Sequence, residues 1–437
     1  MEIQTESASD FSQRMAKAYM YGALSFVAIG IAWAAVFIIM GWWLVVGMDL
    51  IIVALGGVIY FSMRKGHLRF GVFLAQVGLL LVAITMGILL DVPTAEYPRV
   101  VHIYLLSLAS LGYLNYQREK SNIQLLIIVI CLLAFIVLSC APLASPYVLQ
   151  MPDLLRTVGT WANATMATII LAASVHAIHS ELVRKDKDSR RLMSALWNKE
   201  FKLVFQPQVD KSRKIIGAEA LIRWHHPDKG EISPASFIPQ AEQLDLMPDI
   251  GKWVLEEGCT VLKSWEQNPK LQHMNLSLNV SAKQLMHDEF EENLKKILNR
   301  TGVNPERLTL EITESVLVTG FEIARTKLAT LNELGITVAL DDFGTGYSSL
   351  SYLRQLPVQH VKIDRSFVRD ASLNDGSKTF VKNLVQLCND LGQNVVAEGV
   401  ETEEQHKLLC EFGASDFQGY LYGKPTDLEN FESQNLA

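Results

Sequence analysis

Carboxylate, carboxamide and lysine side chains stand near the ends of short apolar runs throughout the second half of this 437-residue chain. The recurring residues are Glu219, Asn279, Glu311, Asp341, Asp342, Lys362, Glu398 and Gln418. One acidic residue in such a place is more often a helix N-cap or a salt-bridge partner. The repetition of polar residues along successive runs therefore carries the argument for a shared site.

Several carboxylates and a carboxamide that met at one point would repel one another unless cations lay between them. Oxygen ligands suit Mg²⁺ or Mn²⁺, whereas zinc would favour the histidine and cysteine ligands that these positions lack. An aspartate shared by two ions would clamp the attacking and leaving oxygens of a phosphoester. Lys362 could hold the attacking water or stabilise developing negative charge. The pattern predicts metal-dependent phosphodiester hydrolysis.

Eight short β-rich runs alternate with segments of helical period and would position these residues. They span 202–206, 216–223, 275–280, 308–312, 337–341, 360–364, 394–398 and 414–419. This alternation predicts a mostly parallel sheet, and its length suits a TIM-like (β/α)8 barrel. Because the carboxyl ends of the strands in such a barrel open on one face, the polar residues should surround one pocket.

Several motifs in this half, taken in order, resemble those of the EAL-domain cyclic di-GMP phosphodiesterases. They are Glu219-Ala220-Leu221, Leu278-Asn279-Val280-Ser281, Leu310-Glu311-Ile312-Thr313-Glu314, the segment from Asp341-Asp342-Phe343-Gly344 through Lys362 to Phe367, Ala397-Glu398-Gly399-Val400-Glu401, and Gln418-Gly419-Tyr420. The resemblance implies hydrolysis of cyclic di-GMP to linear pGpG with two Mg²⁺ or Mn²⁺ ions, and inhibition by Ca²⁺.

The resemblance also implies roles for individual residues. Metal ligation falls to Glu219, Asn279, Glu311, Asp341 and Asp342, and catalytic roles fall to Lys362, Glu398, Glu401 and Gln418. Substrate contacts fall to Gln206, Leu221 and Arg223, while Glu314 would brace the Asp-Phe-Gly loop and support dimerisation. We therefore expect a homodimer that binds cyclic di-GMP.

The first 182 residues have a different composition. Their acidic and basic residues balance, so the whole net charge of −7 belongs to the remainder. Six apolar runs, 18–40, 44–63, 70–90, 100–117, 122–142 and 157–180, each approach the length of about 20 residues that a helical span requires. We expect residues 1–182 to be a six-span, sensory membrane domain, 183–200 a cytoplasmic linker helix and 201–437 the barrel.

Loop charges predict the orientation. Placing both termini in the cytoplasm leaves only Arg99 and Arg156 among the loop cations outside, as the positive-inside rule requires. Together with the resemblance, this orientation predicts a protein of the bacterial inner membrane. The five cysteines show no CxxC spacing and fit a reducing compartment. An acidic soluble half without a basic stripe makes DNA or RNA an improbable partner.

The membrane part leaves open what it senses. His102, His176 and His179 could hold a cofactor, although they and Asp49 lie close enough to the expected interfaces to be hydrated. The linker helix could transmit motion or serve as a tether. For the whole chain, the alternatives to a hydrolase are a receptor that binds cyclic di-GMP without cutting it and, less favoured, a transporter.

Overall fold

The structure is a computed structural model that describes residues 6–94, 96–146, 152–343 and 353–436. The chain divides into two compact units, Met1–Lys187 and Asp188–Ala437. The two units differ in construction, because the first is helical and the second contains all nine described strands.

The described residues of the first unit form six α-helices. They are α1 (Glu6–Ile39), α2 (Trp43–Arg64), α3 (Leu68–Leu89), α4 (Tyr104–Glu119), α5 (Asn122–Cys140) and α6 (Asp153–Trp197), the last of which continues into the second unit. Close packing of α1 on α2 depends on two glycines, since a Cβ on Gly30 or Gly56 would lie within 3 Å of a valine methyl of the facing helix.

Five of these helices, all except α4, are long and apolar enough to cross a membrane. Helix α4 covers most of the fourth expected span but has only 16 residues, with a short 3₁₀ turn, Val101–Ile103, before it. Their large apolar side chains are widely exposed, including Ile51, Leu126 and Ile169. Exposed apolar surfaces of this kind are unfavourable in water but are stable in contact with the apolar chains of lipids.

The polar residues of the expected spans do not form a cluster of metal ligands in the described part of the chain, where the only such cluster lies in the second unit. Asp49 is buried, and the ring of His102 stacks on Phe135 with centroids 5.1 Å apart. His176 and His179 are exposed. Cofactor binding by these histidines therefore stays the open alternative that it was from the sequence.

The second unit is a closed barrel. Its strands are β1 (Phe201–Asp210), β2 (Ile215–His226), β3 (Gly230–Ile232), β4 (Asn275–Val280), β5 (Leu308–Thr313), β6 (Thr337–Phe343), β7 (His360–Ile363), β8 (Asn394–Ala397) and β9 (Asp416–Gln418). All except β3 form the ring, in the order β1-β9-β8-β7-β6-β5-β4-β2, which closes by pairing of β2 with β1. The eight expected runs all become ring strands.

The helices of the second unit alternate with its strands. They are α7 (Pro234–Gln243), α8 (Met247–Glu266), α9 (Ala282–Met286), α10 (Phe290–Thr301), α11 (Ser315–Glu333), α12 (Arg365–Ala371), α13 (Asp375–Asp390), α14 (Glu403–Phe412) and α15 (Leu428–Leu436). Leucine, isoleucine and valine side chains from strands and helices form one large buried core. Burial of these side chains from water supplies the main stabilisation of the barrel.

One strand departs from the expected repeat. Strand β1 runs antiparallel to both of its neighbours, β2 and β9. The reason is the short turn between Asp210 and Ile215, because a parallel connection needs a crossover of about a dozen residues or more. The remaining seven ring strands are parallel to one another, so their carboxyl ends share one rim.

Candidate active site

Lys362 lies at the centre of a group of carboxylates near the carboxyl rim of the barrel. Its side chain is 1% exposed. The Nζ atom is 2.6 Å from Glu398 Oε1, 3.4 Å from Asp341 Oδ1 and 3.6 Å from Glu219 Oε2. It also donates a hydrogen bond to Glu311. These four carboxylates come from β2, β5, β6 and the residue that follows β8, so only closure of the barrel brings them together.

Alternation along the strands explains why these side chains point inward. In β2 the alanines at 218 and 220 are fully buried on the outer side, and Glu219 between them faces the interior, directly opposite Gln206 of β1. The pairing of β4 with β5 places Asn279 directly beside Glu311. Parallel strands in register thus bring residues that are far apart in the sequence to one height in the barrel.

Two amide side chains hold the Glu219 carboxylate. Asn279 Nδ2 donates to Oε1 at 2.6 Å, and Gln418 Nε2 donates to Oε2 at 2.6 Å. Gln418 also donates to Gln206 Oε1 at 3.1 Å and accepts a hydrogen bond from Gln208 Nε2 at 3.0 Å. Both oxygens of Glu219 are therefore fixed in direction, which is the condition for a preorganised ligand.

The carboxyl groups around Lys362 have pKa values shifted in different directions. Burial raises the pKa of Glu219, but Lys362 and the two amide donors outweigh burial and hold it below its ordinary value. Burial and the neighbouring Glu219 charge raise the pKa of Glu311 well above normal despite Lys362. Burial raises the pKa of Glu398 to about 8. Burial would lower the pKa of Lys362, but the surrounding carboxylates raise it well above its ordinary value, so it stays protonated.

Asp341, Asp342 and Glu398 each present a carboxylate oxygen, and the three oxygens lie within 4.8 Å of one another. Burial, followed by the charge of Asp341, raises the pKa of Asp342 to about 6. Asp342 therefore binds a proton more tightly than an isolated carboxylate, because the proton reduces repulsion from the neighbouring negative charges. A divalent cation at the same place would reduce this repulsion too. The donor set is entirely oxygen, which fits Mg²⁺ or Mn²⁺.

Not every acidic residue after a strand belongs to this group. Asp364, two residues beyond Lys362, accepts a hydrogen bond from Ser366 N at 2.9 Å and caps α12. Glu401 is exposed, and its backbone N–H donates to Gln405 Oε1 at 2.8 Å. Glu314 is buried immediately before α11. The Asp-Phe-Gly loop that Glu314 is expected to brace continues from Phe343 into 344–352, outside the described residues, so that role stays a prediction.

Of the expected substrate residues, Gln206 lies beside the carboxylate group, because the Gln418 amide that donates to it also donates to Glu219. Gln206 donates to Gly423 O at 3.3 Å, in addition to its contact with Gln418. Arg223 lies two residues beyond Leu221 on β2, and its Nε is 3.5 Å from Glu231 Oε1. Their contacts with a substrate stay predictions.

Sequence reasoning missed Gln208. This residue is 9% exposed, donates to Gln418 and accepts a 3.4 Å hydrogen bond from Ser277 Oγ. Gln208 therefore orients the Gln418 amide, which in turn orients the Glu219 carboxylate. The available signal was its spacing of two from Gln206, which places both amides on one face of a strand.

A closed, mostly parallel α/β barrel with a lysine-centred acidic rim defines the class of protein. Within that class, the EAL domain family model matches residues 189–425. This is more than half of the chain, and the chain belongs to the EAL-domain family.

Two curated relatives come from Pseudomonas aeruginosa. The bifunctional diguanylate cyclase/cyclic di-GMP phosphodiesterase MucR is 38% identical over 239 residues, which cover 54% of this chain and 35% of MucR. The cyclic di-GMP phosphodiesterase PA2567 is 38% identical over 233 residues, which cover 53% of this chain and 39% of PA2567. The similarity is thus confined to less than two fifths of each relative.

Two solved structures have similar barrels. The MucR phosphodiesterase in complex with cyclic di-GMP aligns with a TM-score of 0.54 and 36% identity, covering 56% of this chain and 99% of that one. The EAL enzyme Bd1971, bound to cAMP and cyclic di-GMP, aligns with a TM-score of 0.57 and 32% identity, covering 64% of this chain and 78% of that one.

Proposed function

We propose that this protein is a membrane-anchored phosphodiesterase that hydrolyses one phosphodiester bond of cyclic di-GMP and releases linear pGpG. The observation that carries the proposal is the position of the Lys362 ammonium among four rim carboxylates. Relatives named for this activity, and a relative solved with cyclic di-GMP, support the choice of substrate.

The residues of the rim would hold two Mg²⁺ or Mn²⁺ ions. Glu219, Asn279, Glu311 and Asp341 would hold the first, and Asp341 would share the second with Asp342. When bound, the ions would polarise the phosphate and lower the pKa of the attacking water. Ca²⁺ is expected to inhibit, because it takes more ligands at longer and more variable distances than Mg²⁺.

The chain's own residues would then guide charge and protons. Lys362 keeps its positive charge and can orient the attacking water or stabilise the negative charge that develops on the phosphate. Burial raises the pKa of Glu398 to about 8 in the metal-free site. Glu398 would bind the second metal through water or help to accept the proton. Gln418 keeps Glu219 in place through its hydrogen bond, and Glu401 would support this part of the site.

The remaining assignments complete the proposal. Gln206, Leu221 and Arg223 would contact the substrate, and Glu314 would support the loop and the homodimer interface. Dimerisation would involve the barrel and the membrane domain. The protein would lie in a bacterial inner membrane with six spans and both termini in the cytoplasm, and its membrane domain would regulate turnover.

The test uses the full-length protein in detergent. Cyclic di-GMP should be converted to pGpG with Mg²⁺ or Mn²⁺, and added Ca²⁺ should suppress the conversion. Lys362→Met, which removes the charge but keeps most of the side chain, should lower turnover by at least about 100-fold. Binding of intact cyclic di-GMP without cleavage under either activating ion would refute hydrolysis and favour a receptor.

A further inference from the structure

Strand β2 extends beyond the barrel wall. Its parallel pairing with β4 ends at Ala220, which lies opposite Leu278. Its antiparallel pairing with β1 continues to Trp224, opposite Phe201. Residues 221–226, the start of β1 and strand β3 therefore form a small three-stranded projection at the rim, here called the lip.

The two faces of the lip have different surroundings. Because side chains alternate along a strand, Leu221 and Arg223 share the face of Glu219, next to the acidic group. Trp224 lies on the opposite face and belongs to a separate hydrophobic cluster with Phe201 and Phe237. The inner face is therefore placed to meet a substrate held at the rim, and the outer face needs support.

The end of α6 supplies that support. Leu192 and Ala195, in its last turns, are 1% and 0% exposed and belong to the same cluster as Trp224. These turns lie within the second compact unit, which begins at Asp188. The last turns of α6 are therefore part of the barrel's hydrophobic packing behind the lip.

A polar clamp at the same place joins α6 to the lip. Arg191 donates to both oxygens of Glu200, at 3.0 and 2.7 Å. Trp224 Nε1 donates to Glu200 Oε2 at 2.9 Å, and the Arg191 guanidinium lies over the Trp224 ring, 5.4 Å from its centroid. Glu200 O accepts a 2.8 Å hydrogen bond from His225 N on the lip. Bidentate pairing and stacking of this kind restrict orientation as well as distance.

We propose that Arg191 and Glu200 are positioning residues for substrate binding, which fix the last turns of α6 to the back of the lip and thereby place Leu221 and Arg223. This inference rests on the proposed function. The Glu200 side chain is only 10% exposed. Its hydrogen bond with Arg191 lowers the pKa of Glu200, so the pair stays ionised across the physiological range.

The consequence is specific because the lip adjoins the rim but carries none of the four carboxylates around Lys362. A loosened lip would weaken binding of the substrate equally in its ground state and its transition state. Such a loss raises KM and leaves kcat unchanged. Damage to the acidic group would instead lower kcat.

The experiment compares full-length variants in detergent, with cyclic di-GMP as the probe. Arg191→Ala should raise KM and the Kd for cyclic di-GMP about tenfold and keep kcat within about twofold. The matched control is Arg213→Ala, which removes another Arg–Glu pair, formed with the exposed Glu403 at the turn between β1 and β2. Its KM and Kd should equal those of the wild type.

A milder variant tests the same clamp in case Arg191→Ala does not fold. Glu200→Gln keeps an acceptor for Trp224 but loses the charge, and we expect it to raise KM about threefold. The double variant Arg191→Ala/Glu200→Gln should raise KM no more than Arg191→Ala alone, because both residues act through one clamp.

The outcomes separate this inference from the proposed hydrolysis. Unchanged KM and Kd in both folded single variants, or a fall in kcat alone, would overturn the positioning role while leaving hydrolysis intact. Wild-type protein that binds but does not cleave cyclic di-GMP would refute hydrolysis, and the Kd values would still decide the clamp. Wild-type protein that does neither would overturn both.

Discussion

Replacing Glu219 with glutamine tests the proposed metal ligand whose two carboxylate oxygens each accept a hydrogen bond from an amide. The change conserves volume but replaces one acceptor oxygen with an NH2 donor. Because Asn279 donates to one oxygen and Gln418 to the other, one of the two donors must then face the new NH2 group. Asn279 is exposed, whereas Gln418 is 4% exposed, so the remaining oxygen should turn toward Gln418.

The structure sets the size of each effect. Since the displaced donor, Asn279, can reach water, the free energy of unfolding of the metal-free protein should fall by only about 1 kcal/mol, the low end of the range for an orphaned donor. Turnover should fall far more, because an anionic ligand is lost. A 100-fold decrease corresponds to about 2.7 kcal/mol of transition-state stabilisation, and we expect at least this loss.

The assay measures pGpG release across a Mn²⁺ titration, together with denaturant unfolding of the metal-free protein. Glu403→Gln is the matched control, since Glu403 is exposed and pairs with Arg213 away from the acidic group, and its turnover should stay within about twofold of the wild type. Glu219→Gln protein with turnover within about threefold of the wild type at every Mn²⁺ concentration would show that Glu219 is not a ligand.

The remaining predictions concern pH and domain separation. Burial raises the pKa of Asp416 to about 6, so the folded state binds its proton more tightly than the unfolded chain, and stability is lost as the pH rises through that value. Asp416→Asn should therefore increase the free energy of unfolding by about 1–3 kcal/mol near pH 7.5 and change it little near pH 4; an equal change at both pH values would contradict this. Removal of residues 1–182 should leave a soluble protein that cleaves cyclic di-GMP with Mg²⁺, more slowly if dimerisation needs the spans; an insoluble or inactive fragment, measured against the full-length protein, would contradict this.

Local sequence patterns were enough to predict the strands of the barrel. The alternation of β-rich runs with helical periodicity predicted all eight ring strands, because strand period and strand length depend on neighbouring residues alone. The same patterns placed Glu311, Asp341 and Glu398 near strand ends. Glu219 instead lies within β2, which continues to His226. Helix α4 shows the limit of this reasoning, since apolar composition predicted a span over 100–117 but the helix begins only at Tyr104.

Pairwise contacts depended on closure of the barrel. Two contacts follow from register and side-chain direction across strands distant in sequence. Lys362 reaches four carboxylates, and Gln208 donates a hydrogen bond to Gln418. The clamp between Arg191 and Glu200 likewise needs α6 to end where Trp224 lies. The sequence alone thus determined which residues are acidic, amide or basic and which strand ends carry them. Only the tertiary structure decided which of them touch, because burial and electrostatic pairing are properties of the assembled barrel rather than of any one segment.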